Sequence, residues 1–182
     1  MDIPLQHVAR SVLRRMHRPG DSDAYLKLIE RIRQACPEIA LRTTFLVGFP
    51  GETDAEFEEL LQFVQEARFD RMGAFTFSPE EGTAAFDLPD AVPASLARRR
   101  FDQLMRVQQR ISLERNRQLV GQRIRVLVET AAGPRGRDRV GRSYRDAPEI
   151  DGTVILRDSH ATPGTFVEAT VTDAKPYDLI AN

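Results

Sequence analysis

Thr44-Phe45-Leu46-Val47-Gly48-Phe49-Pro50-Gly51-Glu52-Thr53 is the stretch that decides the fold. An apolar run ends in two glycines around a proline, and a helix pattern starts at once. This reads as a strand, a tight turn and a helix whose first N–H groups point back over the strand end. In α/β sheets, ligands sit at that end of the strands. Glycines allow close approach to the backbone, and a helix start favours negative charge. Thr53 is an expected N-cap with Glu56 three residues on, so a capping box fixes the helix start. The plain alternative is a strand–turn–helix connection with no ligand.

Working outward, the segment around Ile3–Leu5 reads as the tail of a strand that runs into Gln6 and His7. A short helix is predicted over 9–17, ended by Pro19-Gly20-Asp21. Ser22 is the expected cap of the next helix, which keeps Leu26, Ile29 and Ile32 in step up to Pro37. Residues 39–49 are rich in apolar and β-branched side chains and read as a strand. Over 54–68, Phe57, Leu60, Leu61, Val64 and Ala67 share one face of an amphipathic helix. Residues 71–77 read as another strand. Alternating strands and helices imply parallel pairing. Three parallel strands leave edges that need partners, so a further segment before residue 1 is expected.

Pro89 and Pro93 mark a break, and a long helix is predicted over 94–120. Ala97, Phe101, Leu104, Val107 and Ile111 fall on one side. Arg99, Arg106, Arg110 and Arg117 stack on the other, either as a solvated face or as an RNA-binding stripe. From Arg123 the period becomes two, with Ile124, Val126 and Val128 alternating with charges. Further short strands are predicted near 139–145, 152–157, 165–172 and 177–181, with breaks at Gly133-Pro134, Pro163-Gly164 and Lys175-Pro176. Five short strands in so few residues suggest a small closed barrel or sandwich.

The chain has 182 residues and a net charge of −1. Residues 1–90 carry 10 Arg/Lys against 16 Asp/Glu, residues 91–121 carry 7 against 2, and residues 122–182 carry 9 of each. Basic charge is therefore concentrated in the long helix. No apolar run approaches the roughly 18 residues of a membrane helix, and no secretory signal is visible. Cys36 is the only cysteine, which excludes an internal disulfide framework or a cysteine metal cluster. It is expected to be a small buried thiol. A cytoplasmic monomer is the default expectation.

Three stretches together resemble one family. They are Pro4-Leu5-Gln6-His7 with Val12-Leu13-Arg14-Arg15-Met16; the opening stretch preceded by Leu41-Arg42-Thr43; and Gly141-Arg142-Ser143-Tyr144-Arg145-Asp146-Ala147-Pro148-Glu149-Ile150-Asp151-Gly152. They resemble the radical S-adenosylmethionine methylthiotransferases. The third stretch is similar to the branch that modifies an aspartate of small-subunit ribosomal protein twelve (the RimO type). The long helix, with Gln108, Ser112 and Asn116 before Leu119-Val120-Gly121, matches as well.

The resemblance implies an α/β part followed by an all-β part. Residues 1–92 would be the C-terminal part of a radical-SAM partial TIM barrel, 93–121 a linking helix, and 122–182 a small OB-like TRAM β-barrel. It implies S-adenosylmethionine and two 4Fe-4S clusters in the parent protein. The cluster cysteines are absent from this chain, which alone is expected to be inactive. Gln6, Arg42, Thr44, Val47, Gly48, Phe75 and Phe77 are the implied cofactor wall, with His7 as structural support. Arg142, Tyr144, Asp146, Glu149 and Asp151 are the implied client surface, where an acidic group with Asp158 would suit a basic ribosomal protein. Arg135, Arg137 and Arg139 crowd a nearby loop and weaken that contrast. Val8-Ala9-Arg10 departs from the family's small residue, serine, then aspartate or proline, which leaves the short helix poorly capped. The alternatives are a tRNA adenosine methylthiotransferase of the MiaB type and a non-catalytic RNA- or protein-binding module.

Overall fold

The computed structural model describes residues 1–132, without the side chain of residue 132, and 137–182. In chain order the elements are α1 (Arg10–Arg15), α2 (Ser22–Ala35), β1 (Arg42–Val47), α3 (Asp54–Ala67), β2 (Arg71–Thr76), α4 (Ala94–Arg117), β3 (Arg123–Ala132), β4 (Asp138–Arg142), β5 (Val154–Leu156), β6 (Phe166–Ala174) and β7 (Leu179–Ala181). They form two compact units, Met1–Gln108 and Gln109–Asn182, divided within α4.

In the first unit β1 and β2 pair in parallel, with Arg42 opposite Arg71, Thr44 opposite Gly73 and Leu46 opposite Phe75. The N-terminal segment lies along the other edge of β1. Isolated parallel bridges join Asp2 to Arg42 and Gln6 to Phe45, and Gln6 N donates to Thr44 O at 2.9 Å. The predicted strand tail is thus present as an extended segment. Thr43, Phe45 and Val47 are buried on one face of β1, and Arg42, Thr44 and Leu46 lie half-buried on the other. α3 covers the buried face with Phe57, Leu60, Leu61, Phe63, Val64 and Ala67. Phe45, Phe63 and Phe69 meet at 6.2–6.3 Å between centroids, two of the three contacts edge-on. Such pairs add about 0.5–1.5 kcal/mol beyond area burial.

Several expectations shift. Asp21 caps α2, its carboxylate accepting from Ala24 N at 2.9 Å, and Ser22 is the first helical residue. A carboxylate at a helix start gains from the macrodipole as well as the hydrogen bond. Cys36 is exposed rather than buried. It lies before Pro37, where the chain is pushed out of the helix (φ −144°), and the side chain leaves the packed face. β1 is shorter than 39–49 because Leu41 N is taken by the Asp70 carboxylate at one end and Gly48 turns to φ 76° at the other. α4 stops at Arg117, where the bonds tighten to Leu119 N→Asn116 O and Val120 N→Arg117 O. Arg99, Arg106, Arg110 and Arg117 are exposed and Phe101 is only half-buried. Ala9 precedes α1 with no side-chain cap, in keeping with the departure noted at Val8-Ala9-Arg10.

In the second unit the five strands close into a barrel in the order β3-β4-β5-β7-β6. Alternate residues Ile124, Val126, Val128, Val154, Leu156, Ala169, Val171 and Leu179 fill its core. Predicted strand 139–145 ends at Arg142 because Ser143 and Asp146 close a turn. Asn116, fully buried, donates to Lys175 O at 2.9 Å and Pro176 O at 3.3 Å, which ties the end of α4 to the barrel within this unit. The expected break at Gly133-Pro134 and the side chain of Arg135 lie outside the described residues.

Candidate cofactor-binding site

The turn after β1 is built by its own side chains. Thr53 Oγ1 accepts from Glu56 N at 3.3 Å, and Thr53 N donates to the Glu56 carboxylate at 2.7 Å, so the capping box is complete. Ser11 Oγ also donates to Glu56, and Arg15 approaches it at 3.4 Å, which joins α1 to the start of α3. The anion that the helix start attracts is therefore Glu56 itself. Thr53→Ala is expected to lower stability by about 1 kcal/mol in denaturant unfolding. Partial burial pushes the Glu56 carboxyl up, but hydrogen bonds from Ser11 and Thr53 and the Arg15 charge outweigh it and leave the group below its ordinary value. A lowered folded value gives stability that is present above the ordinary glutamate range and lost as pH falls through the lowered value. Glu56→Gln is expected to flatten that acid limb, measured as midpoint against pH.

Behind the turn lies a buried polar chain. His7, fully buried, accepts from Ala9 N through Nδ1 at 3.0 Å, and its Nε2 sits 3.7 Å from Glu52 Oε1. The other Glu52 oxygen accepts from Gly48 N. Arg100, 3% exposed, lies 3.6 Å from Glu52, donates to Glu52 O at 3.0 Å and to Asp54 at 2.7 Å, and stacks over Phe57. His7 is thus structural support, fixed between the N-terminal segment and the turn.

Gly48 has a different role from the one expected. A Cβ there would lie 2.5 Å from Cβ of Ala97, so the room beside this glycine is filled by α4. Val47 is fully buried on the face opposite Arg42 and Thr44. Val47 therefore leaves the candidate wall as a side chain, and Gly48 has no room for one. Gln6, Arg42, Thr44 and Phe75 remain. Arg42, Thr44 and Leu46 share one face of β1, and the register sets Arg71, Gly73 and Phe75 beside them on β2. Arg42 Nε is 3.6 Å from the Asp2 carboxylate. Phe75 is 63% exposed on this face. Phe77 instead packs edge-on against Phe49 at 5.1 Å, in a cluster with Ala9, Val12 and Leu46.

Gln6 has φ 68°, and His7 N donates back to Leu5 O at 2.9 Å. That is a classic γ-turn, a rare and strained conformation. It is held on both sides, since Gln6 N donates to Thr44 O and Gln6 O accepts from Leu46 N at 2.7 Å. The turn sets Gln6 at the lip of a cavity of about 380 Å³ that also takes Arg15, His17 and Arg18. The sequence reading missed these three and Arg71; their only early signal was the Arg14-Arg15-Met16-His17-Arg18 run beside the Gln6 strand end.

On the barrel, Arg142 pairs with Glu129 at 3.3 Å. Asp146 accepts from Ser143 N and Oγ at 3.1 and 2.8 Å, and Asp151 accepts from Ala147 N at 2.8 Å. These two aspartates build the loop. Tyr144, Pro148, Glu149 and Ile150 are its exposed side chains. Ile150 carried no signal in the sequence, because an apolar residue in a strand-rich segment reads as core.

Residues 1–64 match the model of the radical SAM superfamily, and residues 120–182 match the TRAM domain. The ribosomal protein uS12 methylthiotransferase RimO of Roseiflexus sp. (strain RS-1) is 53% identical over 98% of this chain. Its counterparts in Thermosynechococcus vestitus and Nitrosomonas eutropha are 50% and 49% identical over the same share. Nearly the whole chain is thus similar to one part of proteins named as methylthiotransferases. It spans about two fifths of the length of these relatives, 38–40%. In fold, the chain is similar to coproporphyrinogen III oxidase (HemN) of Escherichia coli, a radical SAM enzyme, with a TM-score of 0.51 and 20% identity over 62% of this chain and 26% of that one.

The family uses adenosylmethionine and iron–sulfur clusters. Half-buried Arg42 and Thr44 on one face of β1, with half-buried Gln6 bonded through its backbone to Thr44, suit a carboxylate- and hydroxyl-bearing ligand such as adenosylmethionine. A cluster does not fit the residues present: cluster ligands are several thiolates, the chain has one cysteine, and among the described residues no group of three or more His, Cys, Asp or Glu could hold a metal ion.

Proposed function

We propose that this chain is the C-terminal part of a methylthiotransferase that adds a methylthio group to an aspartate of small-subunit ribosomal protein twelve. What carries the reading is identity near 50% over 98% of the chain to proteins named for that activity. In this reading residues 1–92 complete the radical-SAM barrel, 93–121 link it, and 122–182 form the TRAM barrel. Bound adenosylmethionine would supply the methyl group and the one-electron chemistry. Arg42 would hold its carboxylate by a bidentate fork, Thr44 and Gln6 its hydroxyl or amino groups, and Phe75 would shield it from water. Tyr144, Glu149 and Ile150 would meet the client, with Arg142 at their margin. No helix of the described residues is long and apolar enough to cross a membrane, and a cytoplasmic site of action goes with a ribosomal client.

A chimera in which this chain replaces the matching part of the Roseiflexus relative tests the reading. Mass spectrometry of the ribosomal protein is expected to find the added methylthio group on an aspartate. An unmodified client, with adenosylmethionine still cleaved, would sink the client assignment. Arg42→Ala is expected to weaken adenosylmethionine binding by about tenfold or more, read by calorimetry, since a charged hydrogen bond contributes about 1.5–3 kcal/mol.

One observation favours a tRNA client instead. Arg99, Arg106, Arg110 and Arg117 are all exposed along α4. Steeply salt-dependent tRNA binding would support that reading, and absence of binding at low salt would remove it.

A further inference from the structure

The 380 Å³ cavity beside Gln6 has an unusual lining. Its polar side chains include Gln6, Arg15, His17 and Arg18, its floor includes Leu46 and Phe49, and no carboxylate lines it. Among the described residues, two of the six non-glycine residues with positive φ lie on it, Gln6 (68°) and His17 (55°). His17 occupies the position after the C-cap of α1 that glycine ordinarily takes. His17 N donates to Arg14 O at 3.0 Å and Arg18 N to Leu13 O at 2.8 Å, the paired bonds of a Schellman motif. A non-glycine residue held in that conformation carries strain, and such residues cluster at ligand clamps. Among the described residues, neither His17 nor Arg18 forms an ion pair with a carboxylate. Arg15 Nε is buried with no hydrogen-bond partner, while its Nη2 donates to Gly51 O at 3.1 Å. Arg15 is neutralised by Glu56 at 3.4 Å, so the cavity presents donors on a partly apolar floor with Arg18 as the cation that no carboxylate of the lining balances.

The geometry points to a carboxylate subsite here, one that takes the side chain of the client's aspartate. This rests on the methylthiotransferase reading above. The only carbon of an aspartate side chain that bears hydrogen is bonded directly to the carboxyl carbon. Fixing the carboxylate between Arg18, His17 and the Gln6 amide therefore fixes the reacting C–H to within one bond length. Arg18 gives the charge, His17 and the Gln6 amide give hydrogen bonds, and Leu46 and Phe49 give the methylene an apolar rest. Gln6 lines this cavity and its backbone is bonded to Thr44 O and Leu46 N, so the held carbon would lie beside the C-terminal half of β1.

The test uses this 182-residue chain and two short lysine-flanked peptides, one with a single aspartate and its twin with asparagine, titrated by calorimetry. The aspartate peptide is expected to bind about tenfold more tightly or better. Non-specific attraction runs the other way, because residues 1–90 carry an excess of acids and would favour the more cationic asparagine peptide. Arg18→Gln and His17→Gln are both exposed-site changes and are expected to erase the preference while leaving unfolding midpoints unchanged. Equal affinities for the two peptides, or no binding of either, would overturn the subsite. So would an Arg18→Gln chain that loses adenosylmethionine affinity in parallel, since the carboxylate held there would then be the cofactor's. Adenosylmethionine binding without aspartate preference breaks the subsite alone. Aspartate preference without adenosylmethionine binding breaks the methylthiotransferase reading alone.

Discussion

Gly152→Ala is expected to leave the barrel unfolded, or to destabilise it by more than about 3 kcal/mol, while the first unit keeps its structure. A Cβ at Gly152 would lie 1.7 Å from Tyr177 O and 2.4 Å from its carbonyl carbon. Both are backbone atoms, so no rotamer change relieves the clash. The two backbones are held together on the next residues: Thr153 N donates to the Asp178 carboxylate at 3.0 Å, and Leu179 N donates to Thr153 O at 2.9 Å. Opening the gap means breaking the start of the parallel β5–β7 pair, where Val154 faces Leu179 in register. Without that pair the barrel has two open edges. Gly164→Ala is the matched control. Its φ is 87° and nothing lies within 4 Å of the added atom, so only conformational strain of about 1 kcal/mol is expected. Amide hydrogen exchange resolved by residue would separate the outcomes: loss of protection confined to the barrel for Gly152→Ala, and near-native protection for Gly164→Ala. Native protection in both would refute the close-approach account.

The glycine at 152 was visible in the sequence only as part of a motif; what it must avoid is set by a residue 25 positions away. The same limit separates the legible from the illegible elsewhere. α3 and its capping box could be read directly, because the apolar spacing, Thr53 and Glu56 all act within a few residues. The period of two from Arg123 to Glu129 and the short strands after it leave a small closed barrel or a sandwich open, and the structure has the closed barrel. Arg42 and Thr44 could be placed on one face because strand alternation is local. At Gly48 the sequence does not tell which side of the backbone is filled, and the structure puts Ala97 on the Cβ side. Val47 lies on the opposite face from Arg42 and Thr44 because side chains alternate along β1. His17 and Arg18 were hidden for another reason. They enter the cavity through a left-handed C-terminal turn on α1 that helical spacing does not encode. Cys36 was expected to be buried by composition alone, and the local break at Pro37 overrode that tendency.

Glu52→Ala is expected to cost about 3–5 kcal/mol, the usual cost of leaving one member of a buried ion pair without its partner. Glu52 and Arg100 are both almost wholly buried, at 0% and 3% side-chain exposure. Removing the carboxylate strips Arg100 of its buried counter-charge, leaves Gly48 N without its acceptor, and takes away the group facing His7 Nε2. Arg100 keeps Glu52 O and the exposed Asp54 carboxylate as partners, which holds the loss below that of a fully stranded charge. Glu52→Gln retains an oxygen for Gly48 N and should fall between the wild type and Glu52→Ala. The decisive measurement is the double-mutant cycle with Arg100→Met. Methionine preserves much of the stem volume packed over Phe57 and removes the buried charge. The double variant should therefore be more stable than Glu52→Ala alone, with a coupling energy of at least about 1 kcal/mol. Simple additivity would mean that Glu52 acts only through Gly48 and His7. The His7–Glu52–Arg100 chain would then be a set of separate contacts around the turn, and the pinning of Gln6 would depend on the β1 hydrogen bonds alone.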